Sequence, residues 1–100
     1  MRNRLEVIWS IESVNTTDQI INYLFSEWSE KEVKNFLEAL RAFEEIVSLF
    51  LEVYPNSQIK KGYRRAVIVN QVSVLYSLEN DRILIHTVFD NRQDPDKLTK

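Results

Sequence analysis

The 100-residue chain has no cysteine, a single histidine, and no apolar run near the roughly 20 residues that a bilayer-spanning helix needs. The first absence excludes a disulfide framework and a thiolate metal site, and the second leaves too few donors for a zinc centre, so no metal and no other cofactor is expected. The third, with an N-terminus "MRNRLEVIWS" that lacks the apolar core and small-residue cleavage site of a signal peptide, indicates a cytoplasmic protein with no membrane partner. With 44% apolar and 28% charged residues the composition is that of a folded chain rather than a disordered one. The length suits one domain over residues 1–100, able to bury a core but with little stability to spare.

The net charge of -2 hides a division. Residues 1–59 carry five Lys/Arg against ten Asp/Glu, and residues 60–100 carry eight against five. The C-terminal part is therefore the one suited to an anion or an acidic partner, although its excess falls short of the basic stripe of a dedicated nucleic-acid binder.

Leu5, Val7 and Trp9 alternate with Glu6, Ile8 and Ser10 and predict a short strand. A helix follows from Ile11 to about Trp28, with Val14, Ile21, Leu24 and Trp28 on one face, widened by Ile20 and Phe25. Ser29 and Glu32 form a capping box and start a second helix. Its stripe runs Val33, Phe36, Leu37, Leu40, Phe43, Val47, Phe50 and Tyr54 and stops at Pro55. Ile46, Leu49 and Val53 lie off that stripe, so this helix must be covered on a second side, by its own domain or by another chain. Beyond "NSQIKKG" the period changes to two, and "YRRAVIV", "VSVLYSLE" and "RILIHTVFD" read as a meander turning at Asn70-Gln71 and Asn80-Asp81.

With two-residue turns, Val69 faces Val72, Glu79 faces Arg82, and every other pair follows. One face then collects Arg65, Val67, Val69, Val72, Val74, Tyr76, Leu78, Ile83, Ile85, Thr87 and Phe89 and carries the helices, with Arg65 beside the Tyr76 ring. The other collects Arg64, Ala66, Ile68, Ser73, Leu75, Ser77, Leu84, His86 and Val88 and is the open face, where function is expected. His86 there could bind phosphate or move a proton, or be no more than a half-exposed strand residue.

In this order, "VIWS", "YLFSEWS", "VYP", "KKGYRRAVI", "VSVLYSLE" and "ILIHTVFDNRQDP" resemble the RelE/ParE superfamily, the toxin half of bacterial type II toxin-antitoxin pairs, also called plasmid stabilisation proteins. The resemblance covers nearly the whole chain and is most specific in the closing "FDNRQDPDKL". It implies an α+β fold of order β-α-α-β-β-β, with a helical hairpin packed on one face of an antiparallel sheet. It also implies a growth inhibitor neutralised by a cognate antitoxin. Family members either cut messenger RNA on the ribosome without a metal or, in the ParE branch, poison DNA gyrase.

Where many members carry an arginine before the "VLY"-like segment, this chain has Ser73, and where a basic or histidine residue follows the last strand it has Asp90. A serine hydroxyl cannot supply a bidentate charged fork, and an aspartate beside a phosphate is repulsive. The leading expectation is therefore a toxin that acts by binding, with gyrase as target. The alternatives are a ribosome-dependent ribonuclease using His86, Arg64 and Arg92, and a degenerate member that only binds antitoxin. Lys60, Lys61, Arg65 and Lys97 are candidates for target or phosphate contact, and Ile46, Leu49, Val53, Leu75 and Leu84 for the antitoxin. In "DNRQDP", Arg92 can pair with Asp90 or Asp94 and Asp94 can fix a turn before Pro95, so the motif is either a structural clasp or a mount for Arg92. An uncovered sheet face also gives the free protein a surface on which it could dimerise.

Overall fold

The computed structural model describes residues 4–27, 29–58, 60–69 and 72–91. In chain order they form β1 (Glu6–Trp9), α1 (Ile11–Glu27), α2 (Glu30–Leu49), a 3-10 turn (Leu51–Val53), β2 (Arg64–Val69), β3 (Val72–Glu79) and β4 (Arg82–Asp90). The strands lie in the order β1-β4-β3-β2. The β2-β3 and β3-β4 pairs are antiparallel, whereas β1 joins β4 in parallel, from Glu6 opposite Arg82 to Trp9 opposite Ile85, so the four-stranded sheet is mixed. No helix among the described residues is long and apolar enough to cross a membrane.

Beyond Trp9 the chain leaves the sheet and α1 takes over the edge of β4. Ser10 Oγ donates to the His86 carbonyl (2.9 Å), and the Val88 N–H donates to Thr16 Oγ1 (3.2 Å). A helix beside an open strand edge must satisfy backbone groups, which Ser10 and partly buried Thr16 do for β4, while the buried Ser13 hydroxyl donates to the Ser10 carbonyl (2.7 Å). Ile20 and Ile21 pack on the core as expected, but Val14 points outward. The side chains of Leu24, Phe25 and Trp28 lie outside the described residues.

The Ser29 box is present. Ser29 Oγ accepts from the Glu32 N–H (3.3 Å), and the Glu32 carboxylate accepts from the Ser29 N–H (3.1 Å). Ser29→Ala is expected to lower stability by about 1 kcal/mol, measured as a shift in urea midpoint at unchanged slope. Val33, Phe36, Leu40, Phe43 and Val47 then bury one face of α2 against the sheet, while Leu37 and Phe50 of the expected stripe stay exposed. The helix stops at Leu49, short of the expected Tyr54, because Phe50 leaves helical geometry (φ -135°, ψ 75°). The break swings Tyr54 back onto the core. Its ring centroid lies 5.5 Å from that of Phe43 and 6.2 Å from that of Tyr76, and Phe43 meets Tyr76 at 5.7 Å. The Tyr76 hydroxyl donates to the Leu51 carbonyl (2.8 Å), and burial pushes its pKa up to about 12.

Two β-bulges overturn part of the expected face allocation. The Asn80-Asp81 turn has both residues in the left-handed region (φ 54° and 63°), as a tight two-residue hairpin requires, and pairing from Glu79/Arg82 to Tyr76/Ile85 runs as expected. His86 is then an extra residue on β4, after which Leu75 faces Thr87, Val74 faces Val88 and Ser73 faces Phe89. Ile68 is likewise extra on β2, between Val69/Val72 and Val67/Ser73. Each bulge shifts the alternation by one. Ala66 and Val88, expected outside, are buried in the core, and Ile68 packs against it. Val67, Thr87, Phe89 and Arg65, expected inside, move to the open face. Ser73, Leu75, Ser77, Leu84 and His86 stay there. The Asn70-Gln71 turn lies outside the described residues.

Candidate functional site

The open face carries two polar clusters. The first gathers on His86, which lies on the same side of the sheet as Ser77. In the hairpin Ser77 faces Leu84, so it is the diagonal neighbour of His86. The Ser77 hydroxyl lies 3.2 Å from Glu79 Oε2 and 2.8 Å from His86 Nε2; with its proton on Glu79 its oxygen accepts from the Nε2–H tautomer of the imidazole. Glu79 Oε2 also lies 3.7 Å from the same nitrogen. Tyr63 stacks on the imidazole (centroids 4.3 Å apart, planes at 29°), and Lys60 Nζ sits 4.9 Å from the Tyr63 ring centre. Gly62, at φ +88°, provides the reversal between Lys60 and Tyr63, and the Tyr63 N–H donates to the Lys60 carbonyl (3.2 Å).

Burial pulls the His86 pKa below its ordinary value; Glu79 opposes this, Lys60 adds to it, and Glu12 opposes it. At neutral pH the imidazole is uncharged, with Nε2 engaged by Ser77. A nucleophilic triad needs a carboxylate on the ring nitrogen away from the hydroxyl. Here Ser77 and Glu79 both address Nε2, so Ser77 is not arranged as a nucleophile. Because the folded pKa lies below the unfolded value of about 6.5, the unfolded chain binds more protons in between. His86 therefore contributes stability above pH about 6.5, and that contribution is lost as pH falls through the folded pKa. Its ring-proton resonance, the only histidine signal in the chain, is expected to titrate with a midpoint below 6.5 and to move up when Glu79 is kept and Lys60 is replaced by Ala.

The second cluster is centred on Arg65. Its Nη2 donates to Asn91 Oδ1 (3.0 Å), its Nε reaches Ser73 Oγ (3.4 Å), and the guanidinium lies 5.1 Å from the Phe89 ring centre. Ser73 Oγ donates to the same Asn91 oxygen (2.6 Å) and is fully buried (0% exposed). Arg65 was expected beside Tyr76 and lies over Phe89 instead. Arg64, expected on the open face, is on the helix side, where its Nη1 donates to the Tyr54 carbonyl (2.7 Å). Both corrections follow from the Ile68 bulge.

Of the remaining predicted residues, Lys61 is exposed, and Arg92 and Lys97, with Asp94 and Pro95, lie outside the described residues. Leu75 is only 6% exposed and Leu84 half-buried, so Leu75 offers little to a partner. Ile46 (41%) and Val53 (57%) are exposed, joined by Phe50 (52%) and by partly buried Leu49. Sequence reasoning missed Tyr63, Ser77, Glu79 and Asn91 as site residues. Ser77 could have been found from the hairpin diagonal. Tyr63 and Asn91 lie beyond the strand ends, where no periodicity aims a side chain.

No protein-family model matches the sequence, and no curated protein matches it. Solved structures match in shape. The chromosomal ParDE TA system of P. aeruginosa superposes with a TM-score of 0.73 at 10% identity, over 87% of this chain and 96% of that one. The E. coli DinJ-YafQ toxin-antitoxin complex gives 0.61 at 12% identity, over 91% and 97%. The YoeB dimer of Staphylococcus aureus gives 0.57 at 15%, over 86% and 95%. At such identities the likeness is one of fold, and with two helices packed on a four-stranded mixed sheet the chain has the α+β fold of the RelE/ParE-like toxins.

Proposed function

We propose that this protein is the toxin of a bacterial type II toxin-antitoxin pair, a cytoplasmic growth inhibitor of the plasmid-stabilisation kind that acts by holding an intracellular target and is neutralised by a cognate antitoxin. DNA gyrase, the target of the ParE branch, is the first to test. The fold supports the class, and among its neighbours are complexes of a toxin with its antitoxin. The observation that carries binding over cleavage is the closed state of Ser73. It occupies the place where a nuclease of this resemblance would hold an arginine towards phosphate, and it lies buried beneath Arg65 with its hydroxyl committed to Asn91. Cleavage through the RNA 2'-hydroxyl needs a cation to stabilise the charge that develops on phosphate. The nearest arginine is anchored to its own sheet, and Arg64 is on the other side.

A second reading is favoured by the His86 cluster. A neutral imidazole between Tyr63 and Ser77, with Lys60 close by, could pass a proton to or from RNA, making the protein a metal-independent, ribosome-dependent ribonuclease. Purified protein in a reconstituted translation reaction is expected to leave messenger RNA intact, while inhibiting supercoiling by purified gyrase. New 5' ends that need the ribosome and vanish in His86→Gln would overturn binding in favour of cleavage. Absence of both effects, with no growth arrest in cells, would leave a member that only binds its antitoxin.

A further inference from the structure

The groups that address His86 come from two kinds of element. Ser77, 2.8 Å from Nε2, and Glu79, 3.7 Å from the same nitrogen, stand on β3, and Glu12 stands on α1, so the hydroxyl and both carboxylates belong to the frame of the fold. Tyr63, stacked on the imidazole at 4.3 Å, and Lys60, 4.9 Å from the Tyr63 ring centre, belong to the turn that leads into β2. That turn is bonded to itself. The Lys60 N–H donates to Ser57 Oγ (3.3 Å), the Tyr63 N–H to the Lys60 carbonyl (3.2 Å), and the Ser57 N–H to the Tyr63 carbonyl (2.7 Å). Lys60, Lys61 and Gly62 are exposed, and apart from its chain neighbours nothing among the described residues lies within 4 Å of the point where a Gly62 side chain would begin. What the turn lays on the sheet is the Tyr63 ring.

The two sets treat a proton on His86 differently. The Tyr63 ring helps to bury the imidazole, and burial favours the neutral form. Its π face also attracts a cation, but Lys60 already sits at that ring and repels a second positive charge. Glu79 and Glu12 attract the charge from β3 and α1, wherever the turn lies. An imidazolium is therefore better off with the turn lifted, in water and beside Glu79, whereas a neutral imidazole is better off covered. The lowered pKa agrees, with burial its largest cause. Whichever arrangement binds the proton more tightly gains population as pH falls. We infer that the Lys60–Tyr63 turn is an acid-released cover, closed over the Ser77–His86 cluster while the imidazole is neutral and lifted from the open face when it is protonated. The inference stands on the geometry of that face and is independent of the toxin reading.

The test follows the full chain by proton NMR from about pH 7.5 to about pH 4.5, a range that brackets histidine titration. The nuclear Overhauser contact between the Tyr63 and His86 rings is expected at the upper end and is expected to fade with the midpoint of the His86 ring-proton resonance. The core contact between Phe43 and Tyr76 is expected to persist throughout. Tyr63→Ala, at a half-buried position, is expected to keep the fold by circular dichroism and to raise the His86 midpoint by at least about 0.5, roughly a threefold gain in proton affinity. Tyr63→Phe, which keeps the ring, is expected to bring the midpoint back. A stacked contact that survives at the lower end, or that fades away from the histidine midpoint, would overturn the inference. So would an unchanged or lower midpoint in Tyr63→Ala. Loss of the core contact together with the stacked one would overturn it as well, because the whole fold then melts rather than the turn. If the alanine variant does not fold, the titration of the unaltered chain decides alone.

Discussion

Val88→Asp is expected to leave the protein unfolded, whereas Thr87→Asp, one residue away, is expected to fold. Val88 is 1% exposed, opposite Val74 and packed among the residues that meet α2. An unpaired carboxylate there has no partner to offset its desolvation and costs about 3–5 kcal/mol or shifts its pKa until it is neutral. Net stability is about 5–15 kcal/mol, and at the low end, where a chain of this size with little to spare is expected, that cost is most of it. Thr87 lies on the open face opposite Leu75, half-buried and able to turn a charge to solvent, so its change is expected to stay within about 1 kcal/mol. Far-ultraviolet circular dichroism and urea titration of both variants decide it. Without the His86 bulge the outcomes would exchange, so a folded Val88→Asp beside an unfolded Thr87→Asp would sink the assignment of faces beyond the bulge and, with it, the place of Phe89 beneath Arg65.

Phe43→Ala is expected to cost about 3–5 kcal/mol. Phe43 is almost wholly buried at the meeting point of α2, Tyr54 and Tyr76, and it holds both rings by edge-on and tilted contacts. Truncation would empty the space beneath the 3-10 turn and loosen the Tyr76 hydroxyl from the Leu51 carbonyl, so the neighbours can only partly close the hole. The paired control is Phe50→Ala on the same element. Phe50 is half exposed, and its loss is expected to cost no more than about 1 kcal/mol. Equal shifts in urea midpoint for the two variants would mean that the break after Leu49 is misplaced and that Phe50 belongs to the core.

What could be read from the chain before folding was whatever is decided locally. Ser29 and Glu32 announce a helix start because both partners of the box lie within one turn. The period-two runs place β2, β3 and β4 to within a residue, and Asn80-Asp81 accepts the left-handed backbone that the turn demands. The sides of the sheet were only half legible. A bulge inserts one residue without altering composition, and in "RRAVIV" and "ILIHTVF" either alternation buries β-branched side chains. What selects the observed one is packing against α2, a partner dozens of residues away. The same limit hid the end of α2, since a stripe that runs in phase to Tyr54 cannot reveal a turn made to bring that tyrosine over Phe43. It also hid the inner face of α1, where partly buried Thr16 serves the edge of β4 and buried Ser13 bonds back to Ser10, neither of them filling a core. The arginines suffered most, because Arg64 and Arg65 exchange sides with a shift of one.

The parallel pairing of β1 with β4 also governs when the molecule comes into being during synthesis. Ser10 and His86 are bonded across 76 positions, so at about 5–20 residues per second the first strand waits roughly 4–15 s for its partner to be translated. Closing so long a loop is a late event, whereas a helical hairpin assembles from near neighbours. The open face, with both polar clusters, therefore cannot exist until β4 has left the ribosome. The end of α2 is no different, because the Leu51 carbonyl just past it accepts from the Tyr76 hydroxyl of β3, and Leu5, whose N–H donates to the Ser48 carbonyl, leads into β1. Neither the helix end nor the open face is therefore on offer before the last strand has been made.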